Sequence, residues 1–417
     1  MNQMEGYGVG QGLIINSDYK VVATVNTGGN AAPSDMHEFQ LLNNGESAVL
    51  TAFQVVQCDL SSFNITTVQG WLSEGVFQEV NVTSGEVLFE WYSSNHVDPS
   101  ETQVLPNSSD VSGTGLSPEA PFDYFHINSV DKSTLTGNYL VSARYTSTLY
   151  YINASDHIII WRLSYFGTSD FKCDNFNFSF QHDARLLFEN DTTTILSIFD
   201  NASDGANRTA AESLGMVIAL DHNTGTATLQ SQTFFPHAGG LSSASQGNMQ
   251  HLSNGNLFIG WGNQAFISEH APDGHAVLAA QFATANTMNY RAFTMPWSST
   301  PSTTVPDVYA YALNAASQTT IYVSWNGATT AASWRFYSAQ GVGVGDRFDV
   351  LGSAARAGFE TTWTAPSFFP WIMVEALAAD GASLRNSSFR ATFVPGAELA
   401  GACDVAGCPL ANSRSGS

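Results

Sequence analysis

Three histidines occupy equivalent positions in repeated segments of the sequence and could act together in one reaction. His37, His126 and His182 each open a β-rich segment, in HEFQLLNNGESAVLTA, HINSVDKSTLTGNYLVSAR and HDARLLFENDTTTILSIFD. A single histidine at the start of a strand is more often a structural residue than a catalyst. Three of the ten histidines in the same repeated position favour convergence on a common site.

Three converging imidazoles suit two kinds of chemistry. One is a metal centre, because three histidine ligands and an open position suit zinc or iron. The other is covalent catalysis, with one neutral imidazole as nucleophile and the others as acid, base or oxyanion donors. Arg144 ends the strand pair that His126 opens, and a permanent positive charge opposes a metal but favours an oxyanion. The residues therefore favour covalent chemistry with no metal ligand, while a salt bridge to one of 36 acidic residues is an equal alternative for Arg144.

The elements that would position these residues are predicted from an internal repeat. Each copy has a β-rich run, a polar turn and a second β-rich run, which is typical of a β-hairpin. The six turns are centred on Gly85, Asp156, Gly225, Gly274, Gly327 and Gly381. An inner strand pair precedes the hairpin, opened by the histidines in three copies and by Gly247 in a fourth, where the missing side chain would leave space for a ligand. Four strands per copy and six copies predict an all-β fold, a six-bladed β-propeller.

The repeats predict one domain. We expect residues 1–395 to form the propeller and residues 396–417 to form an irregular C-terminal tail. The N-terminal strand segment GLIINSDYKVVATVN would pair with the last hairpin and close the ring, which removes exposed strand edges. The polar stretch 93–121 is expected to be a long loop that acts as a lid.

Composition and motifs argue against several classes of protein. Of the 417 residues 43% are hydrophobic and 12% are charged, which is compatible with a sizeable core. The net charge of −22 makes nucleic acid and anionic membrane surfaces poor partners. No run approaches the roughly 18 apolar residues of a membrane helix. The chain contains no G-x-x-x-x-G-K-[ST] phosphate loop and no G-x-S-x-G nucleophile elbow, and no cofactor is expected.

Sequons and cysteines bear on the cellular compartment. The nine N-x-S/T sequons begin at Asn64, Asn81, Asn107, Asn153, Asn177, Asn190, Asn201, Asn207 and Asn386. Cys403 and Cys408 could close a small disulfide loop, and Cys58 and Cys173 could form a second disulfide, with four reduced thiols as an equal alternative. We expect a secreted protein whose leader is absent from this chain, and a cytoplasmic location is the alternative.

The motifs around these residues resemble those of the arylsulfotransferase family, in particular its fungal-type branch. DMHEF surrounds His37, DYFHINSVD contains His126, LVSAR ends at Arg144, and FSFQHDAR contains His182. The segments GVFQEVNVTSGEVLFEW, SQGNMQHLSNGNLFIGWG and NYRAF extend the resemblance, so that it covers most of the chain.

The resemblance implies a nucleotide-independent aryl sulfotransferase with a small phenolic sulfate donor and a phenolic acceptor. It implies that His182 is transiently sulfated in a ping-pong reaction, while His37, His126 and Arg144 bind sulfate and assist. Which of His37 and His126 is the general acid stays open. Bacterial members carry an N-terminal β-sandwich used in dimerisation, for which this chain has no room, so no oligomeric state is predicted.

Two residues near His126 could bind substrate, and two other functions stay open. Asn128 and Tyr124 lie two residues either side of His126 and share its strand face if the strand is regular, so both are candidates for substrate binding. The alternative functions are a propeller oxygenase or lyase whose metal the histidines hold, and a non-catalytic propeller that binds a partner.

Overall fold

The protein is built from short β-strands. The computed structural model describes residues 8–66, 69–107, 112–284, 287–339, 348–396 and 399. The helices with defined bounds are single 3-10 turns at Asn43–Gly45, Ser61–Phe63, Ser93–Asn95 and Pro99–Glu101. Within the described ranges, no helix is long and apolar enough to cross a membrane. The prediction of an all-β fold is therefore confirmed.

The chain divides into two compact units. One consists of Met1–Ile14 with Ala23–Thr294, and the other of Ile15–Val22 with Met295–Ser417. Strands β1 (Gly12–Ile15) and β2 (Val21–Val25) pair with each other as a two-stranded sheet. Closure of a ring through pairing of this segment with the last hairpin therefore stays a prediction, and so does the number of six blades.

The first unit contains four further sheets, in which neighbouring strands are antiparallel apart from one parallel edge pair. The first sheet consists of β3 (Ser34–Leu42), β4 (Ser47–Cys58), β5 (Gly70–Asn81) and β6 (Val87–Tyr92). The second consists of β7 (Ile127–Lys132), β8 (Tyr139–Ala143), β9 (Thr148–Ile152) and β10 (Ile159–Ser164). The third has β12 (His182–Glu189), β13 (Thr193–Asp200), β14 (Leu214–Asp221) and β15 (Thr226–Phe234), with β11 (Lys172–Asp174) parallel to β15. The fourth consists of β16 (Asn248–His251), β17 (Leu257–Gly260), β18 (Phe266–His270) and β19 (Ala276–Gln281).

The strand pairing of the first unit follows the repeat in the sequence. The predicted inner pairs are β3–β4, β7–β8, β12–β13 and β16–β17, and the predicted hairpins are β5–β6, β9–β10, β14–β15 and β18–β19. Gly85, Gly225 and Gly274 have φ of 74°, 64° and 88° in their turns, a region in which a Cβ atom would be strained. Eight local pairings are thus confirmed, and each sheet has the consecutive strand order expected of a blade.

The second unit departs from the predicted pairing. One sheet has the order β20 (Asp307–Tyr311), β21 (Thr320–Ser324), β24 (Glu360–Thr364). The other has the order β23 (Phe348–Ala355), β22 (Ser333–Ala339), β25 (Trp371–Leu377), β26 (Ser383–Asn386), with β27 (Arg390–Ala391) also on β25. The predicted hairpin around Gly327 is wrong, because its two strands, β21 and β22, lie in different sheets.

The reason for this departure lies in the connection between β21 and β22. Gly327 does turn the chain, with φ of 82°. The connection, however, buries Trp325, Ala328 and Ala331 in the core of this unit, and the Trp325 indole donates to Thr304 Oγ1 at 2.9 Å. A connection that buries its own apolar side chains acts as part of the core rather than as a tight hairpin turn. The hairpin β25–β26 is as predicted.

Buried aromatic residues pack the first two sheets together and hold the segment that carries His126. The Phe125 ring lies 5.3 Å from the Tyr150 ring and 5.8 Å from the Trp91 ring. Gly75 in β5 makes this approach possible, since a Cβ atom there would come within 2.8 Å of the Phe125 side chain. Burial of an aromatic side chain of this size stabilises the fold by about 1.5–3 kcal/mol.

Two of the four cysteines lie among the described residues, whereas nearly all of the C-terminal tail does not. Cys58 and Cys173 are free thiols, in β4 of the first sheet and β11 of the third, so the suggested disulfide between them is wrong. The suggested Cys403–Cys408 loop and nearly all of the predicted tail lie outside the described residues.

Candidate active site

The three repeated histidines lie at edge strands of three different sheets. His37 is in β3, His126 directly precedes β7, and His182 is the first residue of β12. The ladder of each strand is irregular at this point, between Ser34 and Phe39, between Ile127 and Ser129, and between His182 and Arg185. Such irregularities redirect side chains and are common beside active sites.

The structure brings these histidines together around one tyrosine. The ring centroids of His37 and His126 are 4.9 Å apart, with the planes nearly perpendicular. The Tyr290 ring lies 5.3 Å from that of His37 and 6.3 Å from that of His182. His37, His126 and His182 are only 4%, 5% and 2% exposed. Four aromatic rings from distant parts of the chain therefore form one cluster, in which the three histidines are buried and Tyr290 is partly buried.

Two of the histidines are paired with aspartates. His37 Nδ1 contacts Asp35 Oδ2, and Asp35 Oδ1 accepts the His37 backbone N–H at 3.2 Å. His126 Nδ1 lies 2.5 Å from Asp123 Oδ2, and Asp123 Oδ1 accepts the His126 backbone N–H at 2.9 Å. Each carboxylate thus fixes the ring and places a proton on Nδ1, as carboxylates do in catalytic His–Asp pairs.

His182 is paired with an amide instead of a carboxylate. Its Nδ1 lies 2.7 Å from Asn201 Oδ1 and 3.2 Å from the carbonyl oxygen of Phe180. Both neighbours are acceptors, so the neutral ring carries its proton on Nδ1 and its lone pair on Nε2. The backbone N–H of Gln246 donates to that Nε2 at 3.2 Å. His182 therefore presents the tautomer whose Nε2 carries the lone pair of a nucleophile, and in this structure that lone pair accepts the Gln246 N–H.

Burial and neighbouring charges shift the pKa values of His182, His126 and Asp35. Burial, together with the charge of Arg144, holds the pKa of His182 well below 6.5. Burial also lowers the pKa of His126, although Asp123 opposes this effect. For Asp35, burial acts to raise the pKa, but the charge and hydrogen bonds of His37 outweigh it and the pKa is lowered. The carboxylate beside His37 is therefore ionised at neutral pH, and His182 is uncharged.

Arg144 is a buried cation without an acidic partner among the described residues. It is 4% exposed, and no described carboxylate lies within 4.0 Å of its guanidinium. One terminal nitrogen donates to the carbonyl oxygen of Ala244 at 2.8 Å, and Nε has no hydrogen-bond partner within the described part of the chain. The guanidinium lies over the Tyr145 ring, 4.9 Å from its centroid. The salt-bridge alternative for Arg144 is thus not observed, and an unpaired buried cation suits a bound anion.

An ion network of other residues holds the strands of the site in position. Glu38 accepts hydrogen bonds from Arg185 at 2.8 Å and from Arg291 at 2.7 Å. Asp183 contacts the same two arginines, at 2.7 Å and 3.2 Å. Because Glu38 follows His37 and Asp183 follows His182, this network ties β3 to β12 directly behind the histidines. The Arg291 guanidinium also lies 5.3 Å from the centroid of the neighbouring Tyr290 ring.

The two predicted substrate-binding residues are buried and engaged. Asn128 donates to the carbonyl oxygen of Gln181 at 2.7 Å, and its own backbone oxygen accepts from Arg291 at 2.8 Å. The hydroxyl of Tyr124 donates to Ser93 Oγ at 2.9 Å inside the core. These contacts indicate positioning by Asn128 and core packing by Tyr124, and substrate binding by either residue stays a prediction.

Gly247 has a different role from the one expected of it. A Cβ atom at this position would lie 2.5 Å from the Phe199 ring, and φ is 105°. The glycine is needed for close packing and for a backbone conformation that side chains disfavour. It does not leave open space for a ligand on that side.

The predicted lid is anchored in its described parts. The backbone N–H of Gln103 donates to the carbonyl oxygen of Tyr145 at 2.7 Å, and Val97 and Val104 are buried. The carbonyl oxygen of Ser112 accepts the backbone N–H of Asp123 at 2.7 Å. The loop thus contacts the backbone at Asp123 and at Tyr145, whose ring lies 4.7 Å from that of His126, and a role as a lid stays a prediction.

Sequence reasoning missed the groups that pair with the histidines. Asp35 and Asp123 precede their histidines by two and three residues in SDMHEF and DYFH, a spacing that could have suggested side chain to backbone turns. Asn201 was counted as a sequon, but its side-chain nitrogen donates to the carbonyl oxygens of Ser243 and Gln246, both at 2.9 Å. A buried amide that makes these bonds is not accessible to glycosylation.

The histidines do not form a metal centre in this geometry. Among the described residues, no group of three or more His, Cys, Asp or Glu side chains is arranged to hold a metal ion. The metal-dependent alternative therefore has no structural support, whereas the anion-compatible arrangement around Arg144 does.

Comparisons with known proteins agree with the motif resemblance at the level of the family. Residues 1–283 match the model of a family described as Arylsulfotransferase (ASST). No curated protein matches the chain. The match covers the segments that carry His37, His126, Arg144 and His182.

Solved structures provide only distant likenesses. The Cps50 β-propeller domain from Myceliophteria thermophila is 10% identical with a TM-score of 0.35, covering 67% of this chain and 82% of that one. Virginiamycin B lyase from Staphylococcus aureus is 9% identical with a TM-score of 0.31, covering 90% and 93%. A protein of unknown function from Bacteroides caccae is 9% identical with a TM-score of 0.28, covering 75% and 90%. These values are too low to support an argument about function.

Proposed function

The chain belongs to the arylsulfotransferase family, and on that premise we propose that it transfers a sulfuryl group from a phenolic sulfate ester to a phenol through a sulfated His182. The family supports a sulfotransferase function in general. The finer proposal depends on one observation, a buried Arg144 guanidinium that has no carboxylate partner among the described residues and lies beside the uncharged imidazole of His182. A cation that needs an anion and a nucleophile that is neutral at pH 7 are what attack on a sulfate ester requires.

In the first half-reaction, the Gln246 N–H releases His182 Nε2, and the lone pair of that nitrogen attacks sulfur. The bond between sulfur and the phenolic oxygen breaks, and its electron pair leaves with that oxygen. His37 or His126 supplies the proton that neutralises the departing phenolate. Phenols leave readily because their pKa is about 10, as for tyrosine. The product is a phenol and His182 with a nitrogen–sulfur bond.

Arg144 would bind the non-bridging oxygens of the sulfuryl group. Sulfuryl transfer, like phosphoryl transfer, has a loose in-line transition state, so positioning and charge stabilisation supply most of the rate. The Arg144 backbone N–H donates to the His126 carbonyl oxygen at 2.9 Å, which fixes the arginine relative to that histidine. Removal of one such oxyanion donor typically costs roughly 10²–10³-fold in kcat.

The second half-reaction reverses the first with a different phenol. The acceptor oxygen attacks sulfur, its proton passes to the histidine that gave one up, and the nitrogen–sulfur bond breaks. The lone pair returns to His182 Nε2. Both half-reactions balance in atoms and charge without a nucleotide donor or a metal ion.

Substrate binding would also prepare the acid. In the free protein, burial and the charge of Arg144 lower the pKa of His126. A bound sulfate ester carries a negative charge that offsets Arg144 and favours the protonated imidazole. Proton uptake should therefore accompany donor binding if His126 is the acid, and its absence would leave His37 in that role.

The test is to incubate the protein with 4-nitrophenyl sulfate and to measure its intact mass. We expect one sulfuryl adduct, located on His182 by peptide mapping and removed when phenol is added. His182→Ala should give no adduct, while His222→Ala, a histidine on another part of the third sheet, should behave as the unaltered protein. If no adduct or turnover is seen with a series of aryl sulfates, the proposal is wrong.

We propose in addition that the protein is secreted. Several sequons are exposed, among them Asn64, Asn190 and Asn207. A glycosidase-sensitive mass on protein purified from its natural source would support this location. A source protein with no glycan at any sequon would contradict the proposal.

A further inference from the structure

One buried guanidinium, that of Arg291, contacts all three segments that carry the histidines of the site. One terminal nitrogen donates to Glu38 Oε1 at 2.7 Å, and the other donates to the backbone oxygen of Asn128 at 2.8 Å. Its Nε lies 3.2 Å from Asp183 Oδ1. Glu38 directly follows the first of the three histidines, Asn128 lies two residues after the second, and Asp183 directly follows the third. A single side chain thus bridges β3, β7 and β12.

The chemistry of an arginine suits this position. The guanidinium is planar and holds its N–H donors in fixed directions, so that several simultaneous contacts fix the relative positions of its partners. The side chain of Arg291 is 10% exposed, and those of Glu38 and Asp183 are 1% and 2% exposed. Hydrogen bonds between buried charged groups are strong, and the loss of one leaves an unpaired buried charge. The spacing of the three segments is therefore closely determined at this point.

The residue before Arg291 carries this order into the histidine cluster. The Tyr290 ring lies 5.3 Å from the His37 ring, nearly perpendicular to it, and 6.3 Å from the His182 ring. The Arg291 guanidinium lies 5.3 Å from the centroid of the Tyr290 ring. The Tyr290 hydroxyl and Arg291 also donate to the same backbone oxygen, that of Asn128, at 3.3 Å and 2.8 Å. The tyrosine ring is thus a spacer between two histidines, held by the adjacent arginine and by the acceptor that both residues share.

We propose that Arg291 is a positioning residue for the sulfuryl transfer, which acts through Tyr290 to set the separation of His37 from His182. The inference rests on the proposed function, because both rings must reach the same sulfate ester, His182 as nucleophile and His37 as acid or as a ligand of the sulfuryl oxygens. A misplacement of reacting groups by about 1 Å can cost roughly 10²-fold in rate. Donor binding, which depends on Arg144, should change little.

The second arginine of the ion network provides a matched control. Arg185 contacts the same two carboxylates, Glu38 at 2.8 Å and Asp183 at 2.7 Å. Its other hydrogen bonds among the described residues go to Gln40 Oε1 at 3.2 Å and to the backbone oxygen of Val130 at 3.1 Å. These acceptors lie farther along β3 and β7 from the histidines. The two arginines therefore share their ion pairs, but Arg185 supports the strands at a greater distance from the site.

The experiment compares Arg291→Lys with Arg185→Lys in the full chain, with 4-nitrophenyl sulfate as donor and phenol as acceptor. Each substitution keeps the charge and loses the planar fork. For Arg291→Lys we expect kcat to fall by roughly 10–100-fold, because the rings are misplaced, while KM for the donor stays within about two-fold. For Arg185→Lys both constants should stay within about two-fold, although urea unfolding should show a similar loss of stability in the two variants. An equal fall of kcat in both variants, or a change confined to KM, would overturn the proposal.

Variants of the spacer test the same proposal if Arg291→Lys does not fold. Tyr290→Leu leaves Arg291 in place but removes the aromatic ring, and it should lower kcat by roughly 10-fold or more. Tyr290→Phe keeps the ring and should retain most of the activity. Full activity of Tyr290→Leu would show that the ring does not set the separation of the histidines.

A measurement by nuclear magnetic resonance tests the positioning independently of turnover. In protein with labelled histidine and tyrosine, a nuclear Overhauser effect should connect the ring protons of His37 and Tyr290, whose centroids lie 5.3 Å apart. It should be retained in Arg185→Lys and weakened in Arg291→Lys. An unchanged effect in Arg291→Lys would contradict the proposal. If the effect changes as expected but the unaltered protein turns over no aryl sulfate, the positioning stands and the proposed function alone is wrong.

Discussion

The segments at β3 and β7 that carry His37 and His126 differ from the start of β12, which carries His182, in the side chain that contacts each histidine ring. His37 and His126 face aspartates that lie two and three residues earlier in the chain. His182 faces Asn201, an amide from the end of the neighbouring strand β13. All three rings carry a proton on Nδ1, so the difference lies in the charge behind the ring rather than in the tautomer.

This difference separates the roles that the residue types alone leave open. A carboxylate behind an imidazole stabilises the imidazolium, which a group that gains and loses a proton requires. An amide fixes the ring equally well but adds no charge, so burial and Arg144 keep the pKa of His182 low. A neutral imidazole has the lone pair that a nucleophile needs, which in His182 accepts the Gln246 N–H until the donor binds. The two half-reactions require one neutral, amide-paired imidazole as nucleophile and at least one aspartate-paired imidazole as acid and base.

The largest expected effect distinguishes the two aspartate-paired histidines from each other. His37→Ala and His126→Ala should each lower kcat/KM by roughly 10²–10⁴-fold, the usual contribution of an acid–base group. The variant that lacks the acid should be strongly impaired with phenyl sulfate but much less with 4-nitrophenyl sulfate, whose phenolate needs little protonation. The other variant should be impaired equally with both. Equal leaving-group dependence in the two variants would show that neither histidine alone is the acid.

A smaller effect is expected from Arg144, which acts on both kinds of histidine. Arg144→Lys keeps the charge but loses the planar fork, so kcat should fall by roughly 10²-fold. Its pH profile should be unchanged, because the charge that lowers the pKa of His126 and His182 remains. Arg144→Gln removes that charge and should also move the acidic limb of kcat/KM to higher pH. Full activity of Arg144→Lys would exclude a bidentate contact.

The comparison also shows what the sequence could predict. The equivalent positions of the three histidines can be predicted because alternating apolar residues and glycine turns are local signals. A repeat then aligns equivalent positions without knowledge of the fold. The partner of His182 could not be predicted in this way. Asn201 follows the next strand, β13, and in the sequence it forms part of an N-x-S glycosylation sequon. Tyr290 lies in the NYRAF motif, but no local pattern in the sequence places its ring between those of His37 and His182.

The same limit explains the error in the second unit. β21 pairs with β24 and β22 pairs with β25, so these partners are separated by intervening strands. Local alternation predicts that a strand exists but not which distant strand completes its ladder. In the first unit, pairing follows chain order, and local signals were sufficient.

Asn201→Asp would give His182 the kind of partner that His37 and His126 have. Asn201→Asp places a carboxylate behind His182 and should raise its pKa, so that the imidazolium persists to higher pH. Because the pKa of His182 in the unaltered protein is well below 6.5, the acidic limb of kcat/KM should move to higher pH in this variant, with a loss of about ten-fold at pH 6 that shrinks at pH 8. Asn201→Ala is the matched control, because it removes the contact without adding charge. A pH-independent loss in both variants would mean that Asn201 only packs against the ring.

The smallest effect on turnover is expected at Asp200, a carboxyl with no histidine beside it. Asp35 has a lowered pKa, but burial raises that of Asp200 from 3.8 to about 7. The folded protein thus retains a proton that the unfolded chain loses above pH 4, so this group's contribution to stability falls as pH rises from about 4 to 7 and is constant above. Because ionisation in the folded state costs up to about 4 kcal/mol, Asp200→Asn should be as stable as the unaltered protein at pH 4.5 and more stable at pH 8. Urea unfolding at the two pH values measures this difference, and a constant difference would show that Asp200 is already ionised at pH 4.5.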